Sequence, residues 1–416
     1  MARRNDRFVV GLDIGTTKIC CIIAEKKDDG GLDIVGIGCS TSRGLRKGVV
    51  VNVDQTVEAL KSAVEEAELM AGVGVERAFV GVAGGHIKGF NSRGVIAIPG
   101  RDREVTHMDV DRVIESARAV QLPADRAIFH SVPQDFILDD QDGIRDPIGM
   151  NGSRLEANVH IVTGAISTIT NITNCVNRAG VEVAEPVLEQ LAAADAVLTA
   201  DEKELGVALV DIGGGTTDLA IFKRGAICHT AVLPTGGEHF TNDIAVGLRT
   251  PNPEAERIKV KYGCALAGMV DDEQTIEVPS FGGRKPRVLL RHILCEILQP
   301  RTEEIFNLLQ DEIVRAGYES SLTSGIVVTG GGAILEGVPE IAEQVFDLPV
   351  RRGAPMGVGG LTDGIASPIY STVVGLAMYG AASPAQLEKL SVPTYLLGKV
   401  GVKMKSWFSE LFSILL

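Results

Sequence analysis

The chain has 416 residues, of which 45% are hydrophobic and 23% are charged, and its formal net charge is −14. Because a domain usually takes about 100–200 residues, this length predicts at least two domains, and the apolar fraction excludes a disordered chain. The acidic balance argues against nucleic-acid binding, since proteins that bind nucleic acids present basic surfaces.

Targeting segments are not evident in the sequence. No window reaches the roughly 18 consecutive apolar residues of a membrane span. The first apolar run is interrupted by the charge of Asp13, too early for the roughly 7–15 apolar residues of a signal peptide. We therefore expect a cytoplasmic protein unless another segment attaches it to a membrane.

The cysteines and histidines predict neither a disulfide framework nor a metal site. The seven cysteines are odd in number and form no CxxC pair, and the seven histidines lack ligand spacing. We therefore expect reduced, mostly buried thiols and no zinc cluster.

Hydrophobic periodicity predicts strands and helices that alternate along the chain. Apolar runs predict strands at residues 8–12, 19–24, 32–38, 78–82, 158–164, 207–210, 219–222, 226–231 and 326–329. Helical spacing predicts helices at residues 57–71, 110–120, 169–179, 186–199, 255–262, 287–296 and 303–315, and after Gly237. Residues 106–109 resemble a capping box. The stretch from Gly84 to about His160 reads as a small α/β insertion, and the globular part is expected to end near Ala382.

One motif occurs twice, in different halves of the chain. Residues 13–17 (DIGTT) and 211–218 (DIGGGTTD) each follow an apolar strand, make a Gly/Thr turn and lead into another apolar strand. The simplest physical account is two related lobes, each offering one hairpin to a shared cleft.

The chemistry of these turns suits a phosphate group. Glycine lets the backbone approach closely enough for N–H groups to point at phosphate oxygens, and threonine hydroxyls donate as well. Asp13 and Asp211 at the strand ends suit the water shell of Mg²⁺, and Lys18 suits neutralisation of phosphate charge. One such turn could equally be a plain strand connection; two copies favour phosphate binding.

A third motif is a strand that enters a triple glycine. Residues 326–333 read IVVTGGGA. Three consecutive glycines are entropically costly to order. We therefore expect a nucleobase or ribose to lie against bare backbone here, the alternative being a helix start that needs close packing.

The order of these three motifs resembles the superfamily of actin, heat-shock chaperones and sugar kinases, and within it the FtsA family of bacterial division proteins. Further stretches resembling that family lie at residues 81–86, 132–136, 142–150, 278–284 and 360–363. The resemblance implies an actin-like, two-lobed α/β ATPase fold of duplicated ribonuclease H-like domains, with ATP and Mg²⁺ in the interdomain cleft. It implies the following division: 1–83 and 162–205 as subdomain 1A, 84–161 as the 1C insertion, 206–231 and 302–382 as 2A, 232–301 as 2B, 383–398 as a linker and 399–416 as an amphipathic helix.

Individual site residues follow from the same resemblance. It implies phosphate loops at Asp13, Gly15, Thr16, Thr17 and Lys18 and at Asp211, Gly213, Gly214, Gly215 and Thr216, and further nucleotide contacts at Gly237, Glu256, Lys259, Gly330, Gly331, Gly332 and Ala333. Spacing alone would make Glu256 and Lys259 a solvated ion pair. Glu189 lies where bacterial actin-like relatives carry a water-orienting glutamate, the alternative being a surface carboxylate of a helix.

The C-terminal segment predicts an amphipathic helix from its residues alone. One helical stripe is apolar and carries the sole tryptophan: Val400, Met404, Trp407, Phe408, Leu411, Phe412 and Leu415. Lys399 and Lys403 lie largely on the opposite face. A basic, aromatic amphipathic helix is typical of a membrane-surface anchor, the alternative being a helix docked on the protein's own core or a partner.

The resemblance and the tail together predict an adaptor with at most slow ATPase activity. It would polymerise, tether FtsZ filaments through the FtsZ C-terminal tail to the cytoplasmic face of the inner membrane at the septum, and recruit later division proteins. A small-molecule kinase and a type IV pilus ATPase-like scaffold of the same superfamily are the alternatives.

Overall fold

The computed structural model describes residues 7–99, 103–280, 282 and 285–382. Its strands are β1 Phe8–Ile14, β2 Lys18–Lys26, β3 Leu32–Thr41, β4 Leu45–Arg46, β5 Val49–Val50, β6 Arg77–Val82, β7 Lys88–Ala97, β8 Arg126–Leu138, β9 Gln141–Ile144, β10 Arg154–Ala165, β11 Glu182–Leu188, β12 Val207–Ile212, β13 Thr217–Lys223, β14 Ala226–Leu233, β15 Thr275–Val278, β16 Arg287–Leu290, β17 Ile326–Thr329, β18 Val350–Arg352 and β19 Gly359–Gly360. Its helices are α1 Val53–Ala71, α2 His107–Arg118, α3 Ile166–Arg178, α4 Glu189–Val197, α5 Ala200–Leu205, α6 Gly237–Gly247, α7 Asn252–Tyr262, α8 Arg291–Arg315, α9 Val338–Phe346, α10 Thr362–Ile365 and α11 Ser371–Ala382.

Two sheets of the same topology form the two halves of the molecule. The first has the order β11-β6-β1-β2-β3, with β19 added beyond β3, and the second has the order β14-β13-β12-β17-β18. In each, the first three strands in chain order form an antiparallel meander, and the next two join it in parallel. This duplication confirms the two-lobed α/β architecture predicted from the repeated motif.

The cores lie in layers on both faces of these sheets. Helices α4 and α11 pack between the two sheets, where alanine and valine side chains leave little room. A Cβ on Gly375 would overlap the backbone of Ala192, so α11 and α4 approach at backbone distance. Helices α1 and α3 cover the outer face of the first sheet, and α6, α8 and α9 cover that of the second. The middle layer therefore connects both halves.

The predicted insertion is a separate small layer with its own core. Its sheet has the order β7-β10-β8-β9, and α2 packs on it through Val113 and Ala117. The predicted capping box is confirmed, because the Thr106 side chain accepts from the Asp109 backbone N–H while the Asp109 carboxylate accepts from Thr106.

Two element predictions are wrong in part. Residues 186–188 end β11, and the helix starts only at Glu189. Residues 287–290 form β16, and a single helix α8 then continues through Pro300, where two helices were predicted. The buried stripe of α8 runs unbroken past the proline, through Leu298 and Ile305, so tertiary packing outweighs the roughly 3 kcal/mol that an interior proline costs a helix.

The expectation of reduced thiols is wrong for one pair. Cys20 and Cys39 form a disulfide bond, because the antiparallel register of β2 and β3 places them directly opposite each other. A cross-strand pair of this kind cannot be recognised from cysteine count or spacing. The other five cysteines are free.

Two further expectations concern membranes. Within the described residues, no helix combines the length and apolar character needed to cross a bilayer. The linker and the amphipathic helix predicted for 383–416 lie outside the described residues.

Candidate nucleotide-binding site

The two repeated turns face each other at close range. Gly15 N donates to Lys18 O at 3.0 Å in the β1–β2 turn, and Gly213 N donates to Thr216 O at 2.9 Å in the β12–β13 turn. A Cβ built on Gly214 would lie 2.5 Å from Thr17 Cγ2. Bare backbone therefore lets the turns approach this closely, and the predicted convergence of the two hairpins is what the fold produces.

A cavity of about 630 Å³ opens between the two halves beside these turns. Its walls include almost all the residues predicted for nucleotide, metal and catalysis: Asp13, Gly15, Thr16, Thr17, Lys18, Glu189, Asp211, Gly213, Gly214, Gly215, Thr216, Gly237, Glu256, Lys259, Gly330, Gly331 and Gly332. Ala333 does not line the cavity and is fully buried in the core of the second half. Its backbone N–H donates to Gly330 O at 3.2 Å, so it shapes the glycine turn from behind.

Six carboxyl groups line this cavity, and four of them, other than Glu256 and Glu336, interact with one another. These four are Asp13 at the end of β1, Glu189 at the start of α4, Asp211 in β12 and Asp218 in β13. Burial raises the pKa of each of these four groups. The pKa of Asp211 rises to about 6, and the charge of Asp13 adds to this shift. The pKa of Asp218 rises to about 8, and the charge of Asp211 adds to that shift. The pKa of Glu189 is raised well above its usual value, first by burial and then by the three aspartates. The arrangement thus concentrates potential negative charge that the protein itself only partly balances.

Lys18 is a cation of this cavity that interacts electrostatically with Asp13 and Asp211. Its Nζ donates to the backbone oxygen of Ile369 at 2.5 Å. Burial lowers its pKa, while the charges of Asp13 and Asp211 oppose that shift. Lys259 and Arg291 also line the cavity, but they pair with Glu256 and Glu336. The four interacting carboxyls therefore outnumber the charge that Lys18 supplies, and a bound divalent cation would offset the excess.

The donor set fits hydrated Mg²⁺ better than a closed metal cage. Within the described part of the chain, no three or more His, Cys, Asp or Glu side chains converge closely enough to hold a metal on their own. Mg²⁺ commonly keeps several waters and binds one or two carboxylates together with substrate phosphates. Asp13 and Asp211, each next to the last residue of the strand that precedes a Gly/Thr turn, match that requirement.

The opposite wall is formed by α6 and α7. Lys259 Nζ donates to Gly237 O at 3.0 Å, to Thr241 Oγ1 at 2.9 Å and to Glu256 Oε2 at 2.7 Å. The i,i+3 ion pair that spacing predicts is therefore present, and both of its side chains line the cavity as well. An i,i+3 ion pair and a position in the wall of the cavity are therefore compatible for Glu256 and Lys259.

The three consecutive glycines have two different structural roles. Gly330 has φ 85° and ψ 173°, a conformation almost confined to glycine. A Cβ there would overlap Asp211 Oδ1, and one on Gly332 would lie 2.9 Å from Ile212 Cβ. A Cβ on Gly331 would meet only Ile369 Cγ2, at 3.7 Å. Close packing thus explains the outer two glycines, while Gly331 offers bare backbone to the cavity.

Sequence reasoning missed several residues that line or support the cleft. Asp218 accepts hydrogen bonds from Thr216 Oγ1 at 3.0 Å and from Gln190 Nε2 at 2.8 Å, and Thr372 Oγ1 donates to Asp211 Oδ2 at 3.2 Å. Asp218 closes the second motif and could have been selected from it. Gln190 and Thr372 come from α4 and α11, and no local pattern marks them.

Comparison with solved structures confirms the actin-like fold. The chain resembles the PilM–PilN type IV pilus biogenesis complex with a TM-score of 0.66 and 15% identity, covering 90% of this chain and 98% of that one. It resembles MreB5 of Spiroplasma citri bound to AMPPNP with a TM-score of 0.56 and 16% identity, covering 92% of this chain and 98% of that one. At these identities the likeness concerns the fold alone.

Comparison with sequences is more specific. Residues 208–375 match the family model of cell division protein FtsA, and residues 84–163 match that of the SHS2 domain inserted in FtsA. The chain is 52% identical to cell division protein FtsA of Pseudomonas aeruginosa, over 94% of this chain and 93% of that protein. It is 40% identical to that of Escherichia coli K12, over 99% of both. The chain therefore belongs to the FtsA family of actin-like cell division proteins.

Proposed function

We propose that the cleft binds ATP with Mg²⁺ and that the nucleotide controls assembly of a membrane adaptor for cell division. The observation that carries the proposal is the pair of Gly/Thr turns, which approach from opposite halves beside one cavity. Turns of this kind aim backbone N–H groups at phosphate oxygens. Asp13 and Asp211 would hold the water shell of Mg²⁺, and Lys18 would neutralise phosphate charge.

We assign a different role to each subdomain of the chain. We assign the two sheet halves to subdomains 1A (1–83 and 162–205) and 2A (206–231 and 302–382), and residues 84–161 to 1C; the SHS2 match at 84–163 supports the last of these. Residues 232–301 form subdomain 2B in this division and would bind the FtsZ C-terminal tail. Subdomain 1C would recruit later division proteins, and longitudinal self-association would give filaments.

Glu189 is the proposed water-orienting residue, because it begins α4 and lines the cavity with the Gly/Thr turns. Its carboxylate would accept a hydrogen bond from the attacking water. We further propose that hydrolysis is slow and that bound nucleotide mainly sets the assembly state. Rapid steady-state turnover of ATP by the purified protein without membranes would contradict this.

Nucleotide binding is tested by removing the cleft lysine. We expect Lys18→Ala to weaken ATP binding in Mg²⁺ at least about tenfold, since a charge-assisted contact to phosphate contributes about 1.5–3 kcal/mol. Lys61→Ala is the matched control, because Lys61 is an exposed residue of α1 and the net charge changes equally. Titration calorimetry with MgATP measures both. Equal affinity in Lys18→Ala and the unaltered chain would refute the proposed site.

Membrane attachment is proposed from residues 399–416, with Lys399 and Lys403 favouring anionic lipid. Burying one large apolar side chain contributes about 1.5–3 kcal/mol, against about 1 kcal/mol for each lysine near anionic lipid. Trp407→Glu with Phe408→Glu should therefore release the chain from anionic liposomes in a sedimentation assay. Ser413→Glu, on the polar side of the helix, is the control and should remain bound. Undiminished sedimentation of the double variant would contradict the assignment.

The alternative functions have less support. Relatives at 40–52% identity over most of their length carry the name cell division protein FtsA, whereas the likeness to the pilus complex rests on 15% identity. No observation of the described residues favours a small-molecule kinase over the division role.

A further inference from the structure

The insertion is firmly attached to the first half of the molecule. Its chain leaves after β6 and returns through β10 into α3. In addition, His130 of β8 is buried, and its Nε2 accepts a hydrogen bond from Leu188 N at 3.0 Å. Burial lowers the pKa of His130 to about 4, which leaves the ring neutral and able to accept. Leu188 directly precedes Glu189, so the insertion supports the helix start that lines the cleft.

The same insertion also contacts the second half. Strand β14 is an edge of the second sheet, and the backbone groups of an edge strand need other partners. Asn91 Nδ2 of β7 donates to Cys228 O at 3.0 Å, and Gln134 Nε2 of β8 donates to Ile227 O at 2.9 Å. Insertion side chains thus satisfy backbone oxygens along this edge.

The contact is closest at a buried histidine. His160 of β10 is 1% exposed and Thr230 of β14 is 5% exposed. The ring places Nε2 3.0 Å from Thr230 Oγ1 and Nδ1 2.7 Å from Asn91 Oδ1. A Cβ on Gly89 would overlap Thr230 Oγ1 and lie 2.7 Å from His160 Nε2. The β7 backbone therefore rests on β14 with no space between them. We name Gly89, Asn91, Gln134, His160 and Thr230 the insertion clasp.

Strand β14 connects the clasp to the cleft. It ends at Leu233, and the following residues reach the second phosphate turn. There Gly237 N donates to Gly213 O at 2.9 Å and Glu238 N donates to Gly214 O at 2.8 Å. A shift of β14 relative to the first half would move this support of the turn as well.

We propose that the insertion clasp is a second bridge between the two halves, and that its docking is coupled to occupancy of the cleft. This inference rests on the nucleotide binding proposed above. A ligand that contacts both walls of a cleft stabilises the arrangement in which the walls are close. The clasp stabilises the same arrangement from outside the cleft. Coupling of this kind is reciprocal, so a ligand that strengthens the clasp is itself bound more tightly when the clasp is intact.

The proposal is tested by adding one methyl group to the insertion clasp and measuring nucleotide binding in the cleft. Gly89→Ala should push the insertion away from β14, because the new Cβ overlaps Thr230. We expect MgATP to bind about tenfold more weakly, within the usual range of coupling between sites. Gly85→Ala is the matched control: no atom lies within 4 Å of its added Cβ, and its affinity should equal that of the unaltered chain.

A second variant tests the proposal independently in case Gly89→Ala does not fold. Gln134→Ala removes the hydrogen bond to Ile227 O without adding bulk and should weaken MgATP binding in the same direction, though less. Reciprocally, MgATP should slow amide exchange in β14 of the unaltered chain more than in Gln134→Ala. If the unaltered chain binds MgATP and both clasp variants bind it equally well, the coupling is refuted while the proposed function stands. If the unaltered chain does not bind MgATP, both are refuted.

Discussion

Alanine at Gly330 should destabilise the protein through two separable causes. The φ and ψ of 85° and 173° lie in a region almost closed to other residues, and holding a non-glycine residue there costs about 1–3 kcal/mol. The added Cβ would also overlap Asp211 Oδ1 and lie 2.7 Å from Ile212 O, and overpacking typically costs a further 1–3 kcal/mol or so. The expected loss is therefore about 2–6 kcal/mol. Natural proteins have only about 5–15 kcal/mol of stability in total.

Urea denaturation followed by circular dichroism measures this loss, with Gly331→Ala as the control. The added Cβ of Gly331 would meet only Ile369 Cγ2, at 3.7 Å, so its stability should stay within about 0.5–1 kcal/mol of the unaltered chain. The control has a second use, because Gly331 lines the cavity. If adenosine lies against this backbone, Gly331→Ala weakens ATP binding without unfolding the protein. Equal stability of the two variants would refute the packing explanation of Gly330.

Two further perturbations act on buried titratable or oxidisable groups. Burial raises the pKa of Asp218 to about 8. Because this folded-state pKa exceeds the unfolded value, the folded chain binds more protons than the unfolded chain between about pH 4 and pH 8. The free energy of unfolding therefore falls as the pH rises through this range, by up to about 1.4 kcal/mol per pH unit for one proton. In EDTA, urea denaturation at pH 6 and pH 8 should show this fall, and Asp218→Asn should reduce it; stability that rises over this interval would contradict the prediction. Reduction of the Cys20–Cys39 disulfide, whose cysteines are 19 residues apart, should lower stability by about 3 kcal/mol. Thermal melts with and without reductant test this, and Cys39→Ser should show no response to reductant.

Much of the architecture of the candidate site follows from local sequence. One apolar strand that ends in Asp and turns on Gly and Thr could be a plain strand connection, but two copies in one chain predict two equivalent hairpins. The structure brings the turns at Gly15 and Gly214 together as that pattern requires. The triple glycine was predictable as a close approach of backbone, although the packing partner of Gly330, Asp211, was not.

What escaped prediction depends on contacts between distant segments. Two helices were predicted where α8 is a single helix, because its buried stripe continues past Pro300. Cys20 and Cys39 pair because of strand register, which the sequence specifies only after the sheet is known. Gln190 and Thr372 donate hydrogen bonds to aspartates of the cleft from helices that pack between the sheets. In each case the deciding energy is tertiary, and a reading of one segment at a time does not contain it.

The cleft concentrates carboxyl groups, and this bears on its function. Four carboxyl groups with raised pKa values lie in the cleft beside Lys18, whose own pKa is lowered by burial. A closed core would replace such groups with apolar side chains, since buried charges without partners are costly. Sites that break the rules of a stable core are where function is expected. A cation carried with an anionic ligand would supply positive charge beside these carboxyls, so the carboxyl cluster favours binding of such a pair.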